Sequence, residues 1–361
     1  MQRTMVQSEL AMGTMVTLTV VTDASSRATK ERMLSAWQAI RDVERACSRF
    51  DAKSELSQLT HRVGDSVRVS PLLFSALHFA LEMAMATDGV FDPTVGQTLE
   101  QLGFTTHYLT GQDVRLERDS HGESLGENAC QPSGLAGSMD EGRPFGGMCA
   151  SIDASDASVD CATYRDVELD HEAQSVRLHK PLLLDLGAVA KGLAVDLALR
   201  ELRSLPGVLV NAGGDIAALG QNACGKPWRV GVRNPFDPAG GPLFTVQLHD
   251  ESMCTSGTYE RRSPVHPRGH HLVHGHRREC CSEVVSSTVL SPYCMMSDAF
   301  STAALLLGMA DGTRLLGEQG IPGILVSETG TLQWTEAMKE RIEHGRAVSA
   351  ADRQKNDYQT P

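Results

Sequence analysis

Residues 184–192 read Leu184-Asp185-Leu186-Gly187-Ala188-Val189-Ala190-Lys191-Gly192, and Asn211-Ala212-Gly213-Gly214-Asp215 follows further along the chain. Leu182-Leu183-Leu184 is a short apolar run, Ala188 to Leu199 has the spacing of a helix, and Val208-Leu209-Val210 reads as a strand. The order is therefore strand, small-residue turn, helix, strand. Gly187 and Gly192 let backbone N–H groups approach an anion, the positive end of the helix faces the same turn, and Lys191 adds a cation, so the turn suits a phosphate. Asp185 would repel a phosphate unless it binds a metal, a ribose hydroxyl or a nucleobase amide, which points to a nucleotide. The same residues also read as a plain strand-to-helix corner with Lys191 in solvent.

Working outward, Met12 to Val21 alternates Thr with apolar residues as a half-buried strand does, and Ser25 to Cys47 has helical spacing in Met33, Leu34, Trp37, Ile40 and Val43. Ser48 to Thr60 reads as a loop and short helix, and Pro71 to Thr87 as an amphipathic helix ended by Asp88-Gly89. Downstream, Val167–Leu169 and Ser175–Leu178 form a predicted hairpin, with further strands at Trp228–Val232, Leu243–Leu248, Val284–Leu290 and Ile324–Val326 and a helix from Ser297 to Leu307. Hairpins mixed with long helices predict an α+β fold of mixed sheets and packed helices, not a doubly wound sheet. Residues from about 111 to 160 are rich in Gly, Ser, Asp and Glu and are expected to form a peripheral insertion; residues 346–361 read as a polar tail. The expectation is one domain over residues 1–345.

The 361 residues carry a formal net charge of -12, and no Lys/Arg stripe stands out, which argues against nucleic acid or a membrane surface as partner. No window approaches the roughly 18 apolar residues of a membrane span. The N-terminus has no apolar h-region and no lipobox-type cysteine, so the chain is expected to be unexported and cytoplasmic. Nine cysteines without CxxC spacing read as reduced thiols.

Asp298 and Thr302 stand four apart on the predicted helix Ser297 to Leu307, so their oxygens share one face. One carboxylate, one hydroxyl and a backbone carbonyl would suffice for Mg²⁺, which fills its octahedron with water or substrate oxygens. A first-turn acid with a back-bonding threonine explains the same pair. Residues 264–281 hold His266, His270, His271, His274, His276, Cys280 and Cys281 in what reads as an irregular loop. The spacing disfavours zinc and suits a histidine general base. Thr255-Ser256-Gly257 reads as a turn whose hydroxyls face a ligand or satisfy the turn, and Gly213-Gly214-Asp215 as a tight turn with a cap. Neither a Rossmann fingerprint nor a P-loop is present.

Taken in order, Met12-Gly13-Thr14, Ser48-Arg49-Phe50 with Ser54-Glu55-Leu56, Gly89 to Gly96, Asp185 to Gly192, Asn211 to Asp215, Thr255-Ser256-Gly257 and Ser297 to Thr302 resemble the successive signatures of the ApbE-type FAD:protein FMN transferases. The resemblance runs from about 12 to 328, apart from the insertion. It implies an ApbE-like, T-fold-related architecture. It also implies a Mg²⁺-dependent enzyme that cleaves FAD, passes FMN to a Thr or Ser hydroxyl of an acceptor flavoprotein through a phosphoester bond, and releases AMP.

By the same resemblance Asp298, Thr302 and the backbone carbonyl of Ala188 supply metal oxygens. Met12, Phe50, Val90, Phe91, Asp92, Asp185, Lys191 and Leu272 fall where the family holds FAD, and His271 matches the base that deprotonates the acceptor. One departure is visible. The family continues its histidine with Asp-Pro-x-Thr-Gly, whereas His274-Gly275-His276-Arg277-Arg278 stands here. That exchange of an anion for cations leaves two other expectations open: a Mg²⁺-dependent FAD pyrophosphatase giving AMP and FMN, and a noncatalytic FAD-binding protein.

Overall fold

The computed structural model describes residues 3–23, 26–111, 113–114 and 161–345. The expected insertion, beyond its first few residues, and the tail 346–361 lie outside the described residues.

The chain opens with a hairpin of β1 (Arg3–Ala11) and β2 (Thr14–Thr22), joined by Met12 and Gly13 at φ 54° and 73°. Two positive φ values give a turn whose twist matches that of the strands. The alternation visible in sequence belongs to β2 alone. Most of β1 is exposed, so it carries no apolar period, and Met12 is in the turn instead of starting a strand. Helix α1 (Ser26–Cys47) buries Met33, Trp37, Ile40 and Val43, while Leu34, one position off the stripe, is exposed.

Helix α2 (Glu55–Thr60) is capped by Ser54, β3 (Ser66–Arg68) follows, and α3 (Pro71–Ala86) is capped by Ser70 with Pro71 in its first turn. Next comes α4 (Gly96–Gln101), and β4 (Val167–Asp170) and β5 (Ser175–Leu178) form the expected hairpin beside β3. Residues 182–184 are buried but are not a strand, and α5 runs over Ala190–Leu202.

Strands β6 (Gly207–Ala212) and β7 (Asp215–Gly220) form a hairpin across Gly213 and Gly214 at φ 65° and 104°. After β8 (Trp228–Val232) and β9 (Phe244–Leu248), β10 (Glu251–Gly257) runs through Thr255-Ser256-Gly257, so those residues are strand and not turn. The histidine-rich segment contains a short hairpin, β11 (Val273–His274) with β12 (Glu279–Cys280). The chain closes with β13 (Val284–Ser291), α6 (Cys294–Leu307), α7 (Met309–Glu318), β14 (Gly323–Ser327), β15 (Leu332–Trp334), α8 (Glu336–Lys339) and β16 (Ile342–Gly345).

The central sheet has eight antiparallel strands in the order β1-β2-β6-β7-β10-β13-β14-β15. Neighbouring residues of one strand serve two different cores. Val20, Ala217, Cys254, Val289 and Leu325 pack with the helices α1, α3, α5 and α6, while Val21, Ile216, Met253, Leu290 and Ile324 pack with the small sheet β16-β9-β8. A period of two with both sets apolar is what a sheet covered on both faces requires. The α+β class follows directly.

Among the described residues no helix is long and apolar enough to cross a membrane. Cys161 is disulfide-bonded, contrary to the expectation of reduced thiols throughout, while Cys47, Cys224, Cys254, Cys280, Cys281 and Cys294 are free.

Candidate active site

A cleft of about 770 Å³ opens where the β1–β2 turn, the segment after α1, the turns at 91–95 and 185–191, the β6–β7 turn, the end of β10, the loop before β11 and helix α6 converge. Its size suits a small organic ligand. Met12, Phe50, Phe91, Asp92, Asp185, Ala188, Lys191, His271, Leu272, Asp298 and Thr302 all line it. Val90 does not: it packs against the larger core and its carbonyl accepts the Gly275 N–H at 2.9 Å. Asp92 reaches the cleft with its carboxylate committed elsewhere. Its Oδ1 accepts from the backbone N and hydroxyl of Thr94 at 2.8 and 2.7 Å, and its Oδ2 accepts from Tyr164 N at 3.3 Å.

Lys191 is the hub of the site. Its Nζ lies 2.7 Å from Asp215 Oδ2, 3.2 and 3.1 Å from the two oxygens of Asp298, and 3.0 Å from the carbonyl of Gly187. Burial disfavours the ammonium, but the charges of Asp215 and Asp298 outweigh that and raise its pKa. Asp298 is pushed the other way, upward, by burial first and by the Asp215 charge second, with Lys191 opposing both. Three N–H donors and these oxygens leave the ammonium saturated, so its charge serves carboxylates and not a phosphate in this state.

The two glycines of the turn are likewise committed. Gly187 N donates to Asp185 Oδ1 at 2.9 Å, and Gly192 N to Asp298 Oδ2 at 3.2 Å. The anions those N–H groups approach are therefore the chain's own carboxylates. Gly192 has a second role: a Cβ there would stand 2.4 Å from Met295 Cα, so the glycine is what lets α5 and the first turn of α6 come together.

Asp298 and Thr302 do share one face of α6, which starts at Cys294, three residues before the expected boundary. The Thr302 hydroxyl is 2.9 Å from that of Ser256, itself 2.8 Å from Ser301. Among the described residues no group of three His, Cys, Asp or Glu forms a metal cluster. The donors present are carboxylates, hydroxyls and backbone carbonyls. An all-oxygen set of this kind fits a hard cation that takes its remaining ligands from water or substrate.

Asp185 is clamped by Arg49, whose Nε lies 2.5 Å from Oδ2 and whose second nitrogen donates to Phe104 O at 2.8 Å. Burial raises the pKa of Asp185, but the Arg49 charge, the Gly187 N–H and Arg261 more than offset this and hold it below the ordinary carboxylate value. The guanidinium also lies over the Phe50 ring, 4.0 Å from its centroid. Across the cleft, Glu44 Oε1 accepts from Met12 N at 2.8 Å and from Tyr108 Oη at 2.6 Å, which fixes the β1–β2 turn.

His271 hangs from the loop before β11, its backbone N donating to Arg261 O at 3.3 Å and its ring edge-on to Phe104. Burial, then the charges of Arg261 and Lys191, lower its pKa to about 3. The imidazole is neutral at pH 7, and its Nδ1 is buried with no hydrogen-bond partner among the described residues. His270 points the other way, with Nε2 2.8 Å from Cys281 O.

The unusual segment 274–278 is the turn of the β11–β12 hairpin and stays behind the cleft wall. Gly275 docks against the 89–90 backbone, where a Cβ would meet Gly89 O at 2.0 Å. Arg278 adopts φ 53°, a conformation that favours glycine, and its buried guanidinium donates to Thr94 Oγ1 at 3.1 Å and Ala162 O at 2.7 Å, 3.7 Å from Asp92. The exchange in sequence is absorbed by a buried ion pair. Neither Arg277 nor Arg278 lines the cleft.

Asp215, Arg49 and Ser256 belong to the site and stand within the sequence signatures, though no role was assigned to them individually, whereas Glu44 and Arg261 also line it and carried no signal in sequence. Asp215 follows two glycines and reads as a cap, and Ser256 reads as part of a turn whose hydroxyls face a ligand or satisfy the turn. Only the pairing of β6 with β7 and of β10 with β13 turns both toward the 185–191 segment.

The model of the ApbE family matches residues 12–325. The FAD:protein FMN transferase of Rhodobacter capsulatus is 30% identical over 302 residues, 81% of this chain and 50% of that protein, so the chain spans half the length of this relative. The FAD:protein FMN transferase of Haemophilus influenzae is 27% identical over 312 residues, 82% of this chain and 79% of that protein. The fold is similar to that of the flavin transferase ApbE from Vibrio cholerae, with a TM-score of 0.71, 20% identity and coverage of 94% of this chain and 100% of the other. The ApbE protein from Thermotoga maritima also gives a TM-score of 0.71, with 24% identity and coverage of 95% of this chain and 100% of that one.

Proposed function

The chain belongs to the ApbE family, and from that premise we propose that it transfers FMN from FAD to a Ser or Thr hydroxyl of an acceptor flavoprotein, releasing AMP, with Mg²⁺ as cofactor. The observation that carries this reading is the meeting of His271, Asp298, Thr302 and Asp185, from three distant parts of the sequence, on one cleft. Phosphoryl transfer asks little covalent chemistry of a protein and much positioning and charge neutralisation. The residues supply both.

Asp298, Thr302 and the Ala188 carbonyl would hold Mg²⁺, which when bound neutralises pyrophosphate charge and polarises the bond to be broken. Phe50, Phe91 and Phe104 offer apolar walls for the flavin and adenine rings, and Arg49 keeps Asp185 ionised as an acceptor for a ring or ribose N–H or O–H. His271 takes the proton of the acceptor hydroxyl. The freed oxygen forms a bond to the phosphorus of the FMN half, and the bond from that phosphorus to the bridging oxygen breaks, releasing AMP.

A histidine near 3 is a weak base; burial is the larger cause and stays, while the smaller one, the charges of Arg261 and Lys191, is opposed by a pyrophosphate beside the ring, which raises the pKa. Residues 1–345 would form one catalytic unit.

The test is incubation of the purified protein with FAD, Mg²⁺ and a flavoprotein fragment bearing Ser or Thr. Transfer gives AMP and a covalently fluorescent acceptor band. AMP with no band identifies a Mg²⁺-dependent pyrophosphatase, and bound FAD with no AMP sinks both enzymatic readings in favour of a binding protein.

A further inference from the structure

We infer that Lys191 stands in for the divalent cation in the metal-free protein, and that Asp215 is the anchor that retains its ammonium when a cation takes Asp298. The inference rests on the metal reading of the Asp298 site. Asp215 and Asp298 are 4% and 2% exposed, and two carboxylates so buried and so close need a cation to fold together. Lys191 is that cation, and its contacts are unequal. It meets a single oxygen of Asp215 at 2.7 Å but straddles both oxygens of Asp298 at 3.1 and 3.2 Å.

The straddling contact sets the ammonium charge against both Asp298 oxygens, so a metal ligates that carboxylate tightly only when the ammonium gives it up. Little movement is needed. Asp215 Oδ2 and the Gly187 carbonyl at 3.0 Å already hold the other side of Nζ. Asp298 meanwhile keeps its backbone bond from Gly192 at 3.2 Å, which holds the carboxylate in place through the exchange. Lys191 and Asp215 are positioning residues in this scheme: they set the affinity of the site without touching the reacting atoms.

The test is Mn²⁺ binding, by electron paramagnetic resonance of the free ion, and Mg²⁺ binding by calorimetry, on the full chain as wild type, Lys191→Gln, Asp215→Asn and the double variant. Lys191→Gln, which keeps a hydrogen-bonding head without the charge, should bind either metal at least tenfold more tightly, about 1.4 kcal/mol. Asp215→Asn should bind at least tenfold more weakly, because the ammonium is left with Asp298 alone. In the double variant the Asp215→Asn penalty should shrink below threefold.

Unchanged or weaker binding by Lys191→Gln overturns the stand-in role. A penalty for Asp215→Asn that persists without Lys191 overturns the anchor role and makes Asp215 a direct ligand. Should Lys191→Gln fail to fold, as thermal unfolding without metal would reveal, an unchanged affinity in Asp215→Asn overturns the scheme by itself. Flavin transfer is followed in parallel. Absence of transfer with this metal-binding pattern removes the transferase reading and leaves the stand-in, and transfer with metal binding indifferent to Lys191 does the reverse.

Discussion

Replacing Gly192 by alanine isolates the contact on which the site depends. An added Cβ would lie 2.4 Å from Met295 Cα and 2.5 Å from Cys294 O and Met295 N, all backbone atoms, which cannot rotate away. Restoring ordinary contact requires the first turn of α6 to move by about 1 Å relative to α5. Alanine gains about 1 kcal/mol of helix propensity over glycine. Overpacking costs about 1–3 kcal/mol, and stretching the charge-assisted bond from Gly192 N to Asp298 costs up to about 2 kcal/mol more.

Because the obstructing atoms are backbone, overpacking sits at the upper end of that range, and the net expectation is a loss of about 2–4 kcal/mol, or a fall in Tm of roughly 3–5 °C for a chain of this size, with weaker Mg²⁺ binding because Asp298 rides on the displaced helix. Thermal unfolding and calorimetric titration measure both. Gly317→Ala is the control: Gly317 is on α7 with open space where its Cβ would go, and the exchange should stabilise by about 0.5–1 kcal/mol. A Gly192→Ala protein as stable as wild type, or binding metal as tightly, would refute the close-approach account.

Asp298→Ala should abolish metal-dependent AMP release, measured by chromatography of the products; undiminished release would remove Asp298 from the metal site. His271 provides a pH signature. Its folded pKa of about 3 lies below the roughly 6.5 of an unfolded histidine, so the unfolded chain binds the extra proton and stability is lost as pH falls below about 6.5. Between pH 7 and 5 this group alone costs about 1–2 kcal/mol, and His271→Gln should lose that much less than wild type in urea titrations at the two pH values; equal losses would contradict the buried neutral imidazole. Arg278→Ala should lose about 2–4 kcal/mol by leaving Asp92 buried without its cation, while Arg278→Gly should be about 1 kcal/mol less damaging because glycine accepts φ 53° freely; identical losses would mean that the backbone strain is negligible.

Helices α1 and α3 were legible because their buried stripes recur at local spacing, with Ser70-Pro71 marking the start of α3. Strand β1 was not, because exposed residues carry no period, and β10 was mistaken for a turn at Thr255-Ser256-Gly257 because small polar residues are common to both. In the site, Asp298 and Thr302 were readable as a pair since four residues along a helix is a local relation. Asp215 stood in a sequence signature, but its partner Lys191 was hidden because strand pairing brings the two together. The segment 274–278 looked in sequence like two cations entering the site; in the fold Arg278 turns toward Asp92 and the cleft is spared.

Sequence by itself determined the α+β class, the family signatures and most of the residues that line the cleft, because periodicity, capping and motif order are properties of neighbouring residues. Only the tertiary structure decided what those residues do to one another. Lys191 and Asp298 stand 107 positions apart and meet because a glycine lets α5 and α6 touch. The turn that reads as a phosphate cradle has its two N–H groups and its lysine bound to carboxylates of the protein itself, and no local spacing encodes which long-range anion arrives there first.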